Sequence, residues 1–190
     1  MPSQHILVLK GSPRKNGNSS ILADQVAAGA TAAGANVESF VLHDMSIEPC
    51  DGCDACHKTD DGECVISDDM QILYPKLRGA DAIVVASPIY WGTMSAQTKL
   101  CIDRWYAWEG SQGNALAGKK FAIVLTYGDS DPFTSGAVNA MRTFQDICRY
   151  LKADIVGMVY GTASDAGDIK KQPELLEKAY TLGQKLGSVS

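Results

Sequence analysis

Short, unbroken apolar runs recur along this chain, each bounded by turn-forming residues. Residues 5–10 (HILVLK), 81–87 (DAIVVAS), 121–127 (FAIVLTY) and 154–160 (DIVGMVY) read as strands, and 37–42 (VESFVL) gives one more. Continuous apolarity, as opposed to alternation, predicts strands buried on both faces. Segments of helical composition lie between them. Residues 20–33 are alanine-rich, with Ile21, Leu22, Val26 and Ala27 on one face. Further helices are predicted over 68–77, 95–106, 134–151 and 173–186. Asp68 and Asp69 open the second of these where acids suit the helix dipole, and Pro173 sits near the first turn of the last.

Five strands alternating with helices predict an α/β fold, in which a parallel sheet is covered on both faces. The arrangement that fits 190 residues is the flavodoxin-like, doubly wound one, with strand order 2-1-3-4-5. No repeat or linker divides the chain. Residues 1–190 therefore read as a single domain, with segment 43–67 inserted between the second strand and the next helix. In this order the chain reverses direction between strands 1 and 3, so a crevice opens at their carboxyl ends. Loops 11–19 and 88–94 border it.

The first loop, Gly11-Ser-Pro-Arg-Lys-Asn-Gly-Asn-Ser19, leads directly into a helix N-terminus. Between Met1 and Ala23 there is no acid, while Lys10, Arg14 and Lys15 are basic. Ser12, Ser19, Ser20, Asn16 and Asn18 add small polar side chains. Free N–H groups and the helix dipole favour an anion here, and a phosphate monoester needs such a ring of donors. The Walker pattern fails, because five residues separate Gly11 from Gly17 and Asn18 stands where its lysine should be. The dinucleotide fingerprint G-x-G-x-x-G is also absent. A mononucleotide phosphate such as that of FMN suits the loop; a turn that merely caps its helix is the plainer alternative.

Pro88-Ile-Tyr-Trp-Gly92 ends a buried strand with two aromatic side chains and a glycine. A flat tricyclic ring needs an apolar wall and a few backbone donors, which this run can supply. Its other reading is a hydrophobic plug or an oligomer contact. Thr126-Tyr-Gly-Asp129 follows the fourth strand on the same edge and can complete a ring pocket.

Charge and cysteine change the picture more by where they fall than by their totals. The formal charge is −5. Between Asp44 and Asp69 stand nine acids and one base, leaving 13 acids against 16 bases elsewhere. Four of the six cysteines, Cys50, Cys53, Cys56 and Cys64, lie in that same acidic stretch, which argues against nucleic acid as its partner. Their segment has no periodicity, and loops of this length inside a domain are uncommon unless functional or disordered. Two successive two-residue gaps let three thiolates converge on one inorganic cluster, as in bacterial ferredoxin runs. Zinc, which usually takes two separated ligand pairs, and a metal-free loop are the alternatives. His57, beside Cys56, reads as an exposed loop histidine. Cys101 and Cys148 stand alone on helices and read as core thiols. Trp105, Tyr106 and Trp108 read as core or oligomer contacts.

The 11–20 loop, the Ser87-Pro-Ile-Tyr-Trp-Gly92 run, Gln97-Thr-Lys99 and Asp103-Arg104 together resemble the NADPH-dependent FMN reductases over residues 5 to about 160. The cysteine segment resembles that of their iron–sulfur flavoprotein branch. It departs from the ferredoxin run in its longer last gap and in Val65 where proline would follow. The resemblance implies FMN held at its phosphate by Ser12, Arg14, Asn18, Ser19 and Ser20. It places Pro88, Ile89, Tyr90, Trp91 and Gly92 beside the ring, with a [4Fe–4S] cluster on Cys50, Cys53, Cys56 and Cys64.

The function these readings imply is an FMN-dependent oxidoreductase in which a cluster relays electrons to or from the flavin. NAD(P)H is a possible transient substrate. The alternatives are a cluster-free NAD(P)H-dependent FMN or quinone reductase, and a non-catalytic flavodoxin-like carrier with a metal-stapled loop. The expected partner is a small-molecule or protein electron donor or acceptor, and the family resemblance implies assembly as a homodimer or homotetramer. No apolar run nears the roughly 20 residues that cross a bilayer, and Ile6–Leu9 is too short for a signal peptide. The expectation is a cytoplasmic chain with reduced thiols and no membrane partner.

Overall fold

A computed structural model of the chain describes residues 3–58, 63–109 and 114–188. Strands β1 (His5–Lys10), β2 (Asn36–Val41), β3 (Ala82–Tyr90), β4 (Thr93–Met94), β5 (Lys120–Tyr127) and β6 (Asp154–Thr162) form one sheet. Helices α1 (Asn18–Ala32), α2 (Met70–Gly79), α3 (Ala96–Asp103), α4 (Ala137–Leu151) and α5 (Pro173–Gly187) flank it. The strand order is β2-β1-β3-β5-β6, with β4 paired only to β3. The fold is α/β and flavodoxin-like, but the sheet has six strands instead of the expected five in 2-1-3-4-5 order.

Burial follows the apolar pattern. The side chains of β1, β3 and β5 are almost all withdrawn from water, whereas β2 and β6, at the sheet edges, alternate or stay half-exposed. Successive residues serve opposite faces, as strand geometry requires. Leu7, Leu9, Ile83, Val85, Phe121 and Ile123 pack toward α2, α3 and α4. Ile6, Val8, Val84, Ala86, Ala122 and Val124 pack toward α1 and α5. Those two helices touch backbone to backbone: a Cβ on Gly29 would lie 2.0 Å from the Tyr180 carbonyl, and one on Gly183 equally close to that of Val26. Among the described residues no helix is long and apolar enough to cross a membrane.

Three local differences from the sequence reading bear on the site. The helix expected from residue 20 begins at Asn18, so Asn18, Ser19 and Ser20 form its first turn. The expected loop 88–94 is a hairpin: Ile89 pairs with Met94 and Tyr90 with Thr93 around Trp91-Gly92. The helix expected to reach residue 106 stops at Asp103 and tightens into a 3₁₀ turn, Arg104–Trp108. Trp105 and Trp108 are core residues there, against Phe121 and Tyr74 respectively, while Tyr106 is exposed.

Candidate functional site

Parallel strands that end at one edge place the loops after them side by side. Ser12, Arg14, Gly17 and Asn18 after β1, Pro88, Ile89 and Tyr90 at the end of β3, and Thr126, Tyr127 and Gly128 at the end of β5 line a single cleft of about 190 Å³. Ala163 and Ser164, after β6, close its fourth side. The sequence reading missed these two and Gly17, although Gly161-Thr-Ala-Ser164 is a turn at the end of a strand on the same edge. Ser20, Trp91, Gly92 and Asp129 were expected at the ligand and do not line the cleft; Ser19 does not line it either, but directly follows Asn18, which does.

Short-range bonds hold the first loop to its neighbours. The Gly11 N–H donates to the Ala86 carbonyl at 2.7 Å, and the Ser95 hydroxyl donates to the Gly11 carbonyl at 2.7 Å. A Cβ on Gly11 would fall 1.8 Å from Thr98 Oγ1, so the turn lies directly on the start of α3. Gly17 sits as tightly over Ser12, whose Oγ a Cβ there would meet at 2.1 Å. Ser12 Oγ in turn accepts the Arg14 N–H at 3.2 Å.

The start of α1 has the features an anion needs. Gly17 caps it without a side chain, the first turn holds no acid, and its leading N–H groups have no intrahelical acceptor. Ser19 is 1% exposed, yet its hydroxyl has no hydrogen-bond partner. A buried hydroxyl left unpaired costs about 1–3 kcal/mol, so an absent acceptor is the natural reading. These residues fit a phosphate.

Asn18 plays a different part from the one the sequence suggested. Its Nδ2 donates to the carbonyls of Ala163 (3.3 Å) and Asp165 (2.8 Å), and its Oδ1 accepts the N–H groups of Gly167 (3.0 Å) and Ile169 (3.2 Å). That exhausts the side chain. Asn18 fastens the loop after β6, and its side chain has no donor or acceptor left for a ligand. Arg14 reaches across the cleft as well, donating to the Ser164 carbonyl at 2.8 Å.

The hairpin wall is unusual at its tip. Trp91 and Gly92 have φ of 50° and 80°, the paired positive values of a type I′ turn. Glycine adopts this freely; tryptophan does so under strain. Asn139 Nδ2 donates to the Gly92 carbonyl at 3.2 Å and pins the turn. The Trp91 side chain is fully exposed. On the opposite wall Tyr127 is buried, and burial, ahead of its charged and aromatic neighbours, pushes its phenol above the ordinary value.

The cysteine segment is irregular except for 3₁₀ turns at Leu42–Asp44 and Ala55–His57, and residues 59–62 lie outside the described residues. Its ends are zipped together. The Ser46 and Glu48 N–H groups donate to Asp69 and Asp68 at 2.7 and 2.8 Å, and Gln71 Nε2 donates to the carbonyls of Cys64 and Ile66 at 2.8 and 2.9 Å. Cys50 and Cys53 are exposed, Cys64 is half-buried and Cys56 is buried. Burial raises the Cys56 thiol, and the neighbouring charges of Cys64, Cys53 and Cys50 raise it further. Cys56 therefore sits within electrostatic reach of the other three sulfurs, and four thiols are a donor set whose chemistry fits a cluster. Among the described residues, however, no three His, Cys, Asp or Glu side chains are arranged to hold a metal ion. His57 is exposed, as expected, and its Nε2 lies 3.0 Å from the Tyr106 carbonyl.

The model of the NADPH-dependent FMN reductase family matches residues 4–166. An iron–sulfur flavoprotein of Methanocaldococcus jannaschii is 35% identical over 99 residues, covering 52% of this chain and 50% of that protein. The chain thus spans about half the length of the first curated relatives it matches. An iron–sulfur flavoprotein of Archaeoglobus fulgidus is 33% identical over 170 residues, covering 88% of this chain and 75% of its own. Among solved structures, an NAD(P)H:quinone oxidoreductase from Methanothermobacter marburgensis superposes with a TM-score of 0.77 over 100% of both chains at 19% identity, a likeness of fold.

Proposed function

Because the chain belongs to the NADPH-dependent FMN reductase family, we propose that it is an FMN-dependent oxidoreductase with a [4Fe–4S] cluster on Cys50, Cys53, Cys56 and Cys64. The observation that carries the flavin half is the meeting of four strand-end loops in one cleft at a helix N-terminus without a side-chain cap, next to the buried Ser19 hydroxyl that lacks a partner. Ser19, Ser12 and the first backbone N–H groups of α1 hold the phosphate. Pro88, Ile89 and Tyr90 wall one side of the ring, and Thr126–Gly128 face it from the other. FMN supplies exchange between two-electron and one-electron chemistry, and the cluster supplies single-electron transfer.

The protein's own part is to bind, orient and screen. The apolar hairpin excludes water from the ring, and the acidic segment around the cysteines steers basic partners while the phosphate loop stays basic. NAD(P)H serves as a transient substrate, a small molecule or protein exchanges electrons with the holoenzyme, and the chain assembles as a homodimer or homotetramer. A cluster-free flavin or quinone reductase is the second reading, favoured by the exposure of Cys50 and Cys53 and the lack of a metal-holding arrangement among the described residues.

An absorption spectrum of anaerobically purified protein, with iron and sulfide assays, decides between them. Flavin bands with a broad, bleachable shoulder and bound iron and sulfide support the first reading. Flavin bands without iron leave the second. A colourless protein that takes up no FMN overturns both.

A further inference from the structure

Arg104 is 1% exposed, yet it carries a full charge into the core beside the cysteine segment. Its five N–H donors can be accounted for one by one. Nη1 donates to the Glu48 carbonyl at 2.8 Å and to the Asp68 carboxylate. Nη2 donates to the other Asp68 oxygen at 3.2 Å and to Cys64 Sγ at 3.3 Å. The Nε–H is buried without a partner. A guanidinium is the side chain that can serve three acceptors at once from a rigid fork.

Those acceptors belong to the two ends of the cysteine segment. Glu48 precedes Cys50 by two residues, Cys64 is the last of the four cysteines, and Asp68 follows it just before α2. Asp68 also accepts the N–H groups of Glu48 and Met70 at 2.8 and 3.0 Å. One buried ion pair therefore closes the segment and touches one of its sulfurs.

We propose that Arg104 is a positioning residue for the cluster: it clasps both ends of the cysteine segment and donates a charged hydrogen bond to the Cys64 ligand, raising the cluster's reduction potential. This rests on the cluster reading given above. Reduction adds one electron, and so one negative charge, to the cluster. A fixed N–H donor and a buried positive charge beside a ligand sulfur stabilise the reduced form more than the oxidised one. Asp68 balances part of that charge, so the two residues act on the potential in opposite directions.

The test is a dye-mediated redox titration of the loaded holoenzyme under anaerobic conditions, followed by electron paramagnetic resonance. In Arg104→Gln the reduction equilibrium falls about tenfold, or about 59 mV for a one-electron couple. Arg104→Lys, which keeps the charge but not the fork, recovers part of that loss, and Asp68→Asn moves the potential the other way. Loaded variants whose equilibria all stay within about twofold of the wild type overturn the proposal. If Arg104→Gln fails to fold, Arg104→Lys and Asp68→Asn decide by the direction of their shifts. A wild-type chain that takes up no iron and sulfide overturns the cluster reading instead, and with it the effect on potential. Hydrogen exchange on the metal-free chain then decides the clasp. Arg104→Lys speeds exchange at the Glu48 and Met70 amides about tenfold while the β3 amides stay unchanged, and equal rates at all of these sites overturn it.

Discussion

Replacing Ser19 by alanine should make the flavin-free protein more stable and its complex with FMN weaker. Most substitutions at a binding site do not separate these effects. The Ser19 hydroxyl is enclosed and unpartnered, so in the free chain it bears the desolvation penalty of a polar group without the return of a bond. That penalty is about 1–3 kcal/mol, and removing a single oxygen leaves too small a void to cancel it. The expected gain in the free chain is about 1 kcal/mol. When a phosphate sits at the helix start, the same hydroxyl makes a hydrogen bond to a charged acceptor, worth about 1.5–3 kcal/mol. Losing it weakens FMN by about 10- to 150-fold. Urea denaturation of the flavin-free protein and quenching of FMN fluorescence on titration measure the two quantities separately. A variant that is less stable than the wild type and binds FMN equally well would show that Ser19 spends its hydrogen bond inside the fold, and the phosphate argument would fail.

Other consequences follow from the same structure. Gly17→Ala drives a methyl group to 2.1 Å from Ser12 Oγ, so it should cost about 1–3 kcal/mol in urea denaturation and lower FMN affinity by opening the turn. Burial works against the Asp68 carboxylate, but the Arg104 guanidinium and the Glu48 and Met70 N–H groups outweigh it and hold the group below the ordinary carboxylate range. Its contribution to stability is therefore complete above about pH 4 and lost as the pH falls through the lowered folded value. Hydrogen exchange at Glu48 should accelerate over that interval in the wild type, and Asp68→Asn should flatten the dependence. Burial pushes the Cys101 and Cys148 thiols up to about 12. In native metal-free protein, iodoacetamide should label Cys50 and Cys53 readily and reach Cys101 and Cys148 only after unfolding, as peptide mapping would record.

The parts of the fold that could be read from the sequence are those where burial writes directly into composition. Strands β1, β3 and β5 are continuous apolar runs because helices cover both their faces, and once they were ordered, the sheet edge named loops 11–19, 88–94 and 126–129 as neighbours. The cysteine spacing needed no structure to be noticed. The hairpin at 89–94 escaped because its turn places tryptophan at positive φ, where sequence preference expects asparagine or glycine. The task of Asn18 was hidden because its partners, Ala163 through Ile169, lie nearly the whole chain away. Arg104 stands out in the sequence only as part of the Asp103-Arg104 pair. An arginine next to an aspartate reads as solvated surface, and its burial depends on Asp68 and Cys64, which only the fold brings together.

The central claim is that the cleft at the carboxyl edge of the sheet holds FMN through its phosphate. Calorimetric titration of flavin-free protein with FMN and, separately, with riboflavin tests it most directly, since the two ligands share the ring and differ at the phosphate. FMN should bind with one site per chain and riboflavin at least about 150-fold more weakly, since two or more charged hydrogen bonds of about 1.5–3 kcal/mol each supply about 3 kcal/mol or more. Equal affinity for the two, or no binding of either, would contradict it.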